Sequence, residues 1–224
     1  MKTRTIICGV LLGVVLAGCS KSAMMDNAAY NPGEDIFGRE TDAIVTVKKS
    51  PTDTVFFQLD EETRLFPLGT VEYSGMYRAM CHLYICKDVQ PGYGYVTDVR
   101  WIEPLEQGPV VSSATGPDGL DIEDDWMTCV EDGWLTLHYS SWWGSNAVRH
   151  TVSLVTGTDA SDPYLLELRH DAGGDRQEKY ADALIAFDIN SLPDTGDEYK
   201  TLTLKWKDTE GASKTRQFEF RSRK

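Results

Sequence analysis

Four histidines, His82, His138, His150 and His170, are the side chains best suited to proton transfer or metal ligation in this chain. None lies in a His-x-His pair or beside a carboxylate at ligand spacing, so no metal site and no cofactor are expected. Nucleophilic catalysis has no Gly-x-Ser-x-Gly elbow to rest on, and no cysteine stands beside a convincing base. His170 and Asp171 are neighbours in sequence, but adjacent residues of a strand point to opposite faces, so they do not form a catalytic dyad there. An enzyme is therefore not expected; a hydrolase with a cryptic site remains as an alternative, to be recognised by a carboxylate–His cluster inside one cleft. Binding chemistry is better represented. Trp142-Trp143 can form a stacking platform for a sugar or an apolar partner surface, the competing reading being that both rings close the end of a core. His170-Asp171-Ala172-Gly173-Gly174-Asp175 reads as a tight turn after a strand more readily than as a cation loop. Trp142, Trp143, His170 and Asp171 are the candidate ligand-binding residues.

The elements that must position them are strands. Residues 131–154 alternate side chains on both sides of Gly144-Ser145-Asn146, the pattern of a long β-hairpin with one buried face. A three-residue turn there would set Ser140 opposite His150 and His138 opposite Val152, with both histidines on one face; a two-residue turn would put them on opposite faces. Upstream, strand-like runs at 43–48, 54–60, 63–67, 76–86 and 95–102 make a small five-stranded barrel, of OB-like or SH3-like type. Downstream, runs at 164–169, 183–188, 201–206 and 216–220 follow one another with Gly, Asp and Pro turns and no long amphipathic helix between them, which predicts an antiparallel β-sandwich. Between the two lie Asp118, Asp121, Glu123, Asp124 and Asp125, without the alternating spacing that wraps calcium, and these read as a solvated linker. A brief helical turn is expected around Asp125-Trp126-Met127.

The N-terminal segment carries a different chemistry. Lys2 and Arg4 precede an apolar run from Ile6 to Leu16 that is too short to span a bilayer as a helix, and Leu16-Ala17-Gly18-Cys19 follows. This ending resembles the lipobox of bacterial lipoproteins, which implies a diacylglycerol on the Cys19 thiol and an acyl chain on its amine after cleavage. Several acyl chains make a stable anchor where a single one does not. Residues 20–40 are small, polar and without apolar period, and read as a tether. Ser20 in the position after Cys19 suits an outer-membrane destination, and the absence of an acidic pair after Lys21 favours the periplasmic face over the cell surface. Net charge is −13, and −15 once Lys2 and Arg4 leave with the signal; nucleic acid, which needs a basic patch, is excluded as a partner. Three cysteines stay in the folded part, Cys81, Cys86 and Cys129. Five residues along a strand separate Cys81 from Cys86 by about 16 Å, too far for a disulfide; the open alternatives are that one of the two pairs with Cys129 or that all three stay reduced in the core.

The order Gly133-Trp134-Leu135-Thr136-Leu137, Leu154-Val155-Thr156-Gly157-Thr158, Leu168-Arg169-His170-Asp171-Ala172-Gly173-Gly174-Asp175, Ala186-Phe187-Asp188-Ile189-Asn190-Ser191-Leu192-Pro193 and Leu202-Thr203-Leu204-Lys205-Trp206 resembles the NigD-like lipoprotein family, and the likeness extends to Val45-Thr46-Val47-Lys48 and Phe57-Gln58-Leu59-Asp60. The resemblance implies an N-terminal OB-like domain and a C-terminal β-sandwich. It supplies no catalytic residue, and the family's name, from a gene beside a bacteriocin, implies an immunity role only weakly. The expectation is an all-β protein: signal peptide 1–18, tether 19–40, OB-like five-stranded barrel 41–107, acidic linker 108–124 and antiparallel β-sandwich 125–224. Functionally it is a lipid-anchored, non-catalytic binding or accessory lipoprotein of the cell envelope, with the membrane as one partner through Cys19 and a protein or glycan as the other. A bacteriocin immunity-type protein is the main alternative.

Overall fold

In the computed structural model, which describes residues 24–25, 38, 40–90, 94–144 and 147–223, every regular element is a β-strand. Cys19 and the signal segment lie outside the described residues. The strands are β1 (Met24–Met25), β2 (Glu40–Lys49), β3 (Val55–Gln58), β4 (Arg64–Pro67), β5 (Tyr77–Gln90), β6 (Gly94–Pro104), β7 (Glu106–Gln107), β8 (Val110–Val111), β9 (Asp121–Ile122), β10 (Cys129–Glu131), β11 (Trp134–Trp143), β12 (Thr151–Val155), β13 (Leu165–Asp171), β14 (Lys179–Asp188), β15 (Lys200–Lys207) and β16 (Ser213–Phe220).

The first five long strands close on themselves in the order β2-β3-β4-β6-β5 and back to β2. All pairs are antiparallel except β4 with β6, so the barrel is OB-like in its connectivity. Closure requires the long strands β5 and β6 to bend, and three register shifts between them supply the bends. Alternate residues Ala43, Val45, Val47, Phe57, Leu65, Ala79, Cys81, Leu83 and Ile85 fill the interior. Cys81, Cys86 and Cys129 are joined in no disulfide, and burial pushes the Cys81 thiol far up.

The second half is a sandwich. One sheet, here the front sheet, runs β10-β11-β14-β7 with β9 also on β11; the back sheet runs β16-β15-β13-β12-β8. Leu135, Leu137, Tyr139, Ile185 and Phe187 of the front sheet meet Val152, Leu154, Leu166, Leu168, Leu202, Leu204, Phe218 and Phe220 of the back sheet. The long pairs within sheets are antiparallel, apart from β13 with β15, and the short strands β7 and β8 add parallel pairs at the edges. Residues 106–124, expected to end the barrel and link it to the sandwich, contribute β7, β8 and β9 to the sandwich sheets. Residues 125–128 form a hydrogen-bonded turn in place of the expected helical turn, with the Asp125 carboxylate accepting from the Met127 N–H.

The long hairpin expected across residues 131–154 is not formed. Strand β11 pairs along its whole length with β14, while β12 pairs with β13 in the other sheet. Period-two alternation reports that each arm has one buried face; it does not say which strand lies alongside. Here both arms turn their apolar residues into the same core from opposite sheets, and the chain crosses between them as an arch. The hairpin that does form is β10–β11, turning at Asp132 and Gly133, both at positive φ (49° and 72°), as a two-residue type I′ turn demands.

Because inward residues of β11 are odd-numbered, the even ones, Trp134, Thr136, His138, Ser140 and Trp142, line the outer face of the front sheet. The barrel covers one end of that face. Arg78, fully buried, donates from Nη1 to Thr46 Oγ1 at 3.1 Å and from Nε to Thr136 Oγ1 at 3.4 Å, and Lys48 pairs with Asp132 at 2.8 Å. The other end, at Trp142, is left open.

Candidate binding corner at the end of the sandwich

Trp142 and Trp143 end the same strand and meet opposite environments. Trp143 turns inward: its ring packs against the core, its Nε1 donates to the Ala181 carbonyl at 3.2 Å, and it stacks on His150 with centroids 4.0 Å apart and planes 12° from parallel. Trp142 turns outward, 40 % exposed, edge-on to Tyr180 at 5.3 Å and 62°, and Tyr180 is itself 44 % exposed. The register of β11 with β14 sets Trp142 directly opposite Tyr180. Asp121, on β9, accepts from the Tyr180 hydroxyl and from Thr209 Oγ1, each at 2.6 Å, so Tyr180 is tied down from the far side. Desolvation, followed by the hydrogen bond and charge of Asp121, pushes the Tyr180 hydroxyl up to about 12.

Farther along the same outer face, Ser140 donates to Glu123 at 2.5 Å, and His138 lies between Asp125 (Nδ1, 2.6 Å) and Asp182 (Nε2, 3.3 Å). Burial opposes charge on His138, but its hydrogen bonds to the two aspartates outweigh that and raise its pKa. His138 and His150, whose facing rests in the sequence on the length of the expected turn, are far apart in role: His138 is on the outer face and His150 on the inner side of the arch, because the arms belong to different sheets.

Behind Trp142 the arch is held by a buried polar chain. His170 Nδ1 contacts the Gly119 carbonyl at 3.0 Å, His170 Nε2 contacts His150 Nδ1 at 3.1 Å, and His150 Nε2 contacts Asp175 Oδ2 at 3.2 Å. The protonation pattern follows from the partners. A carbonyl only accepts, so His170 Nδ1 carries hydrogen. Asp175 already accepts the Gly144 N–H at 2.9 Å and the Arg176 N–H at 2.8 Å, which keeps it a carboxylate, so His150 Nε2 also carries hydrogen. One further proton lies between the two rings. Two imidazoles with three ring protons hold one positive charge, which balances Asp175. Burial, with the neighbouring His150 adding to it, lowers the pKa of His170, and the His150 ring lies against the Trp143 face.

Asp118, from the segment preceding β9, donates its N–H to the His170 carbonyl at 3.1 Å and accepts the Ala172 N–H on Oδ2 at 2.8 Å. With Gly119, Trp142, His170, Gly174, Asp175, Gln177 and Thr209 it lines a small pocket of about 80 Å³. The geometry thus brings Trp142 and His170 to one pocket, puts Trp143 in the supporting layer, and leaves Asp171 apart, capping the Gly173 N–H of its own turn at 2.8 Å. Tyr180, Asp118, Gln177 and Thr209 were missed as site residues. In the sequence Asp175 reads only as part of the turn at 170–175. Only the β11–β14 register would have pointed to Tyr180. No group of three or more His, Cys, Asp or Glu side chains among the described residues is arranged to hold a metal ion.

No curated protein matches the chain. Among solved structures, a protein described as toxin-related from Parabacteroides distasonis is 23 % identical with a TM-score of 0.71, over 82 % of this chain and 94 % of that one. A NigD-like immunity protein from Bacteroides caccae is 16 % identical with a TM-score of 0.55, over 80 % and 96 %. A protein from Bacteroides fragilis described as a lipoprotein is 12 % identical with a TM-score of 0.58, over 82 % and 99 %. These likenesses establish a shared two-part fold. The model of the NigD-like C-terminal beta sandwich domain matches residues 102–220, more than half of the chain. The chain therefore belongs to the NigD-like family, through its C-terminal β-sandwich domain.

Proposed function

We propose that this protein is a lipid-anchored, non-catalytic binding module of the bacterial cell envelope, held at the periplasmic face of the outer membrane through Cys19 and engaging its partner at the open end of the front sheet. The observation that carries the binding reading is the outward Trp142–Tyr180 pair on a sheet face that is otherwise polar or covered by the barrel. Exposed rings braced by their own hydrogen-bond network suit recognition, since little side-chain freedom is lost on binding. The anchor is supported by Leu16-Ala17-Gly18-Cys19 and by the Bacteroides fragilis fold relative described as a lipoprotein. The chemistry of the corner supports binding over catalysis: His170 and His150 spend all four ring nitrogens on one another and on Gly119 and Asp175, which leaves neither as a free base.

The test is a benzophenone side chain in place of Tyr180, or of the exposed Trp101 on the barrel as control, photolysed in intact cells. Adducts from the envelope fraction at position 180 and not at 101 are expected. Absence of adducts at 180 rejects the binding face, and a Cys19→Ala protein that stays in the membrane fraction rejects the anchor. A second reading, toxin immunity, draws on the Bacteroides caccae relative's description; equal survival of cells with and without the gene under challenge by a cognate toxin removes it.

A further inference from the structure

We propose that the Trp142 corner is a saccharide site selective for neutral sugars, with the Trp142 indole as the platform for a ring and the pocket behind it receiving that ring's substituent. This rests on the reading of the same corner as the protein's binding face and names its ligand class. Three observations carry it.

The platform is built before any ligand arrives. Trp142 stands edge-on to Tyr180, Tyr180 is tethered to Asp121, and Asp121 also holds Thr209. The neighbouring Trp143 is stacked on the His150 ring, which the Asp175 carboxylate fixes in turn, so the backbone at the end of β11 is braced from inside. A pyranose offers an apolar C–H face to such an indole and a rim of hydroxyls to its surroundings.

The pocket that Trp142 walls supplies partners for hydroxyls. Asp118 uses Oδ2 on the Ala172 N–H, leaving Oδ1 as an acceptor, and the Gln177 side-chain amide, exposed at the rim, makes no hydrogen bond among the described residues and offers both a donor and an acceptor. Its volume of about 80 Å³ takes a substituent of a sugar and not a whole ring.

The sign of the surroundings selects against anions. Asp118 lines the pocket and Asp121 lies beside it, holding Tyr180 and Thr209, and the single charge of the histidine pair is spent on Asp175. A uronate, sulfate or phosphate is repelled, whereas a neutral hydroxyl donates to these carboxylates. A polar pocket beside one indole face, in place of an apolar groove, fits a sugar better than an apolar peptide segment.

The experiment is affinity electrophoresis of the full chain, purified from membranes in a non-ionic detergent without a sugar headgroup. The native gels contain galactomannan, xyloglucan, yeast mannan or dextran as neutral probes, and polygalacturonate or chondroitin sulfate as acidic ones. Retardation by at least one neutral polymer and by neither acidic one is expected. Trp142→Ala and Gln177→Ala should each weaken it by about tenfold or more, while Trp101→Ala, which removes the barrel's exposed indole, leaves it unchanged. Thermal midpoints of the variants identify any that fail to fold, and Gln177→Ala, at an exposed position, keeps the test alive if Trp142→Ala is unstable. No retardation in any neutral gel, retardation that survives both variants, or preference for the acidic polymers overturns the proposal. Photo-adducts to a protein at position 180 without sugar binding overturn the sugar assignment alone, and absence of both overturns the binding face as well.

Discussion

Replacing Asp175 with Asn tests the proton count in the arch directly. The Asp175 and His150 side chains are each 2 % exposed, so solvent cannot take the place of either partner. In the native protein one carboxylate accepts from Gly144 N–H, Arg176 N–H and His150 Nε2–H. Asn keeps one acceptor oxygen, turns the other position into a donor facing donors, and removes the charge that balances the imidazolium. Hydrogen bonds to a charged group contribute about 1.5–3 kcal/mol each, and removing one member of a buried pair costs about 3–5 kcal/mol. Because the histidine pair can shed its extra proton to solvent on average and relieve part of this, a loss of about 3 kcal/mol is expected, equivalent to a fall in Tm of about 6–12 °C for a chain of this size. Urea denaturation of Asp175→Asn beside Asp171→Asn is the assay. Asp171 caps only its own turn, and its change stays within about 0.5 kcal/mol. Nitrogen-15 spectra of the wild-type rings add a second readout: hydrogen on His170 Nδ1 and on His150 Nε2, with one further proton shared between the rings. A loss below about 1 kcal/mol, or two neutral rings, refutes the reasoning.

His138 gives stability a pH dependence of the opposite sign to His170. The aspartates raise the folded pKa of His138 above its unfolded value of about 6.5, so its contribution is complete below that pH and disappears as pH rises through the folded pKa. Denaturation of His138→Gln at several pH values should show a deficit that shrinks as pH rises; a deficit independent of pH contradicts the assignment. Burial holds His170 neutral with a lowered pKa, so as pH falls below about 6.5 the unfolded chain takes up a proton that the fold refuses and stability declines. Gly119→Ala places a Cβ 1.8 Å from the Asp208 carbonyl oxygen and displaces the acceptor of His170, and is expected to cost more than about 2 kcal/mol by thermal unfolding. Leu135→Ala, at a fully buried core position, should cost about 2–5 kcal/mol, whereas Trp142→Ala at the open corner costs under about 1.5 kcal/mol; equal losses place Trp142 in the core.

What could be read from the residues was the alternation that each strand carries for itself. Val45 and Val47, Leu135 and Leu137, Leu202 and Leu204 each mark one buried face, and the all-β class, the barrel and the sandwich follow from adding such faces together. Pairing is another matter, because alternation is satisfied equally by a strand's neighbour in the same sheet and by the sheet across the core. That ambiguity turned a crossing between sheets, from β11 to β12, into an expected hairpin, and with it went the partner of Trp142. Tyr180 lies 38 positions beyond Trp142 and faces it only because Ile185 lies opposite Leu137 in the same ladder.

The histidine chain shows where local reading ends for a different reason. His150, His170 and Asp175 come from an arch, a strand and a turn, and no spacing between them is characteristic. What unites them is the need of each buried polar atom for a partner, a condition that applies only once the backbone is in place. His170 is oriented by a carbonyl at Gly119 that contributes no side chain at all, and Gly119 can present it because a residue with a Cβ would collide with Asp208. Stacking Trp143 on the His150 ring lets the same cluster hold the end of β11 from within, and that leaves the preceding residue, Trp142, free to face outward without being free to move. The exposed ring and the buried charge are thus one device, and a ligand that needs a rigid aromatic surface would sense a change at Asp175 as a change at Trp142.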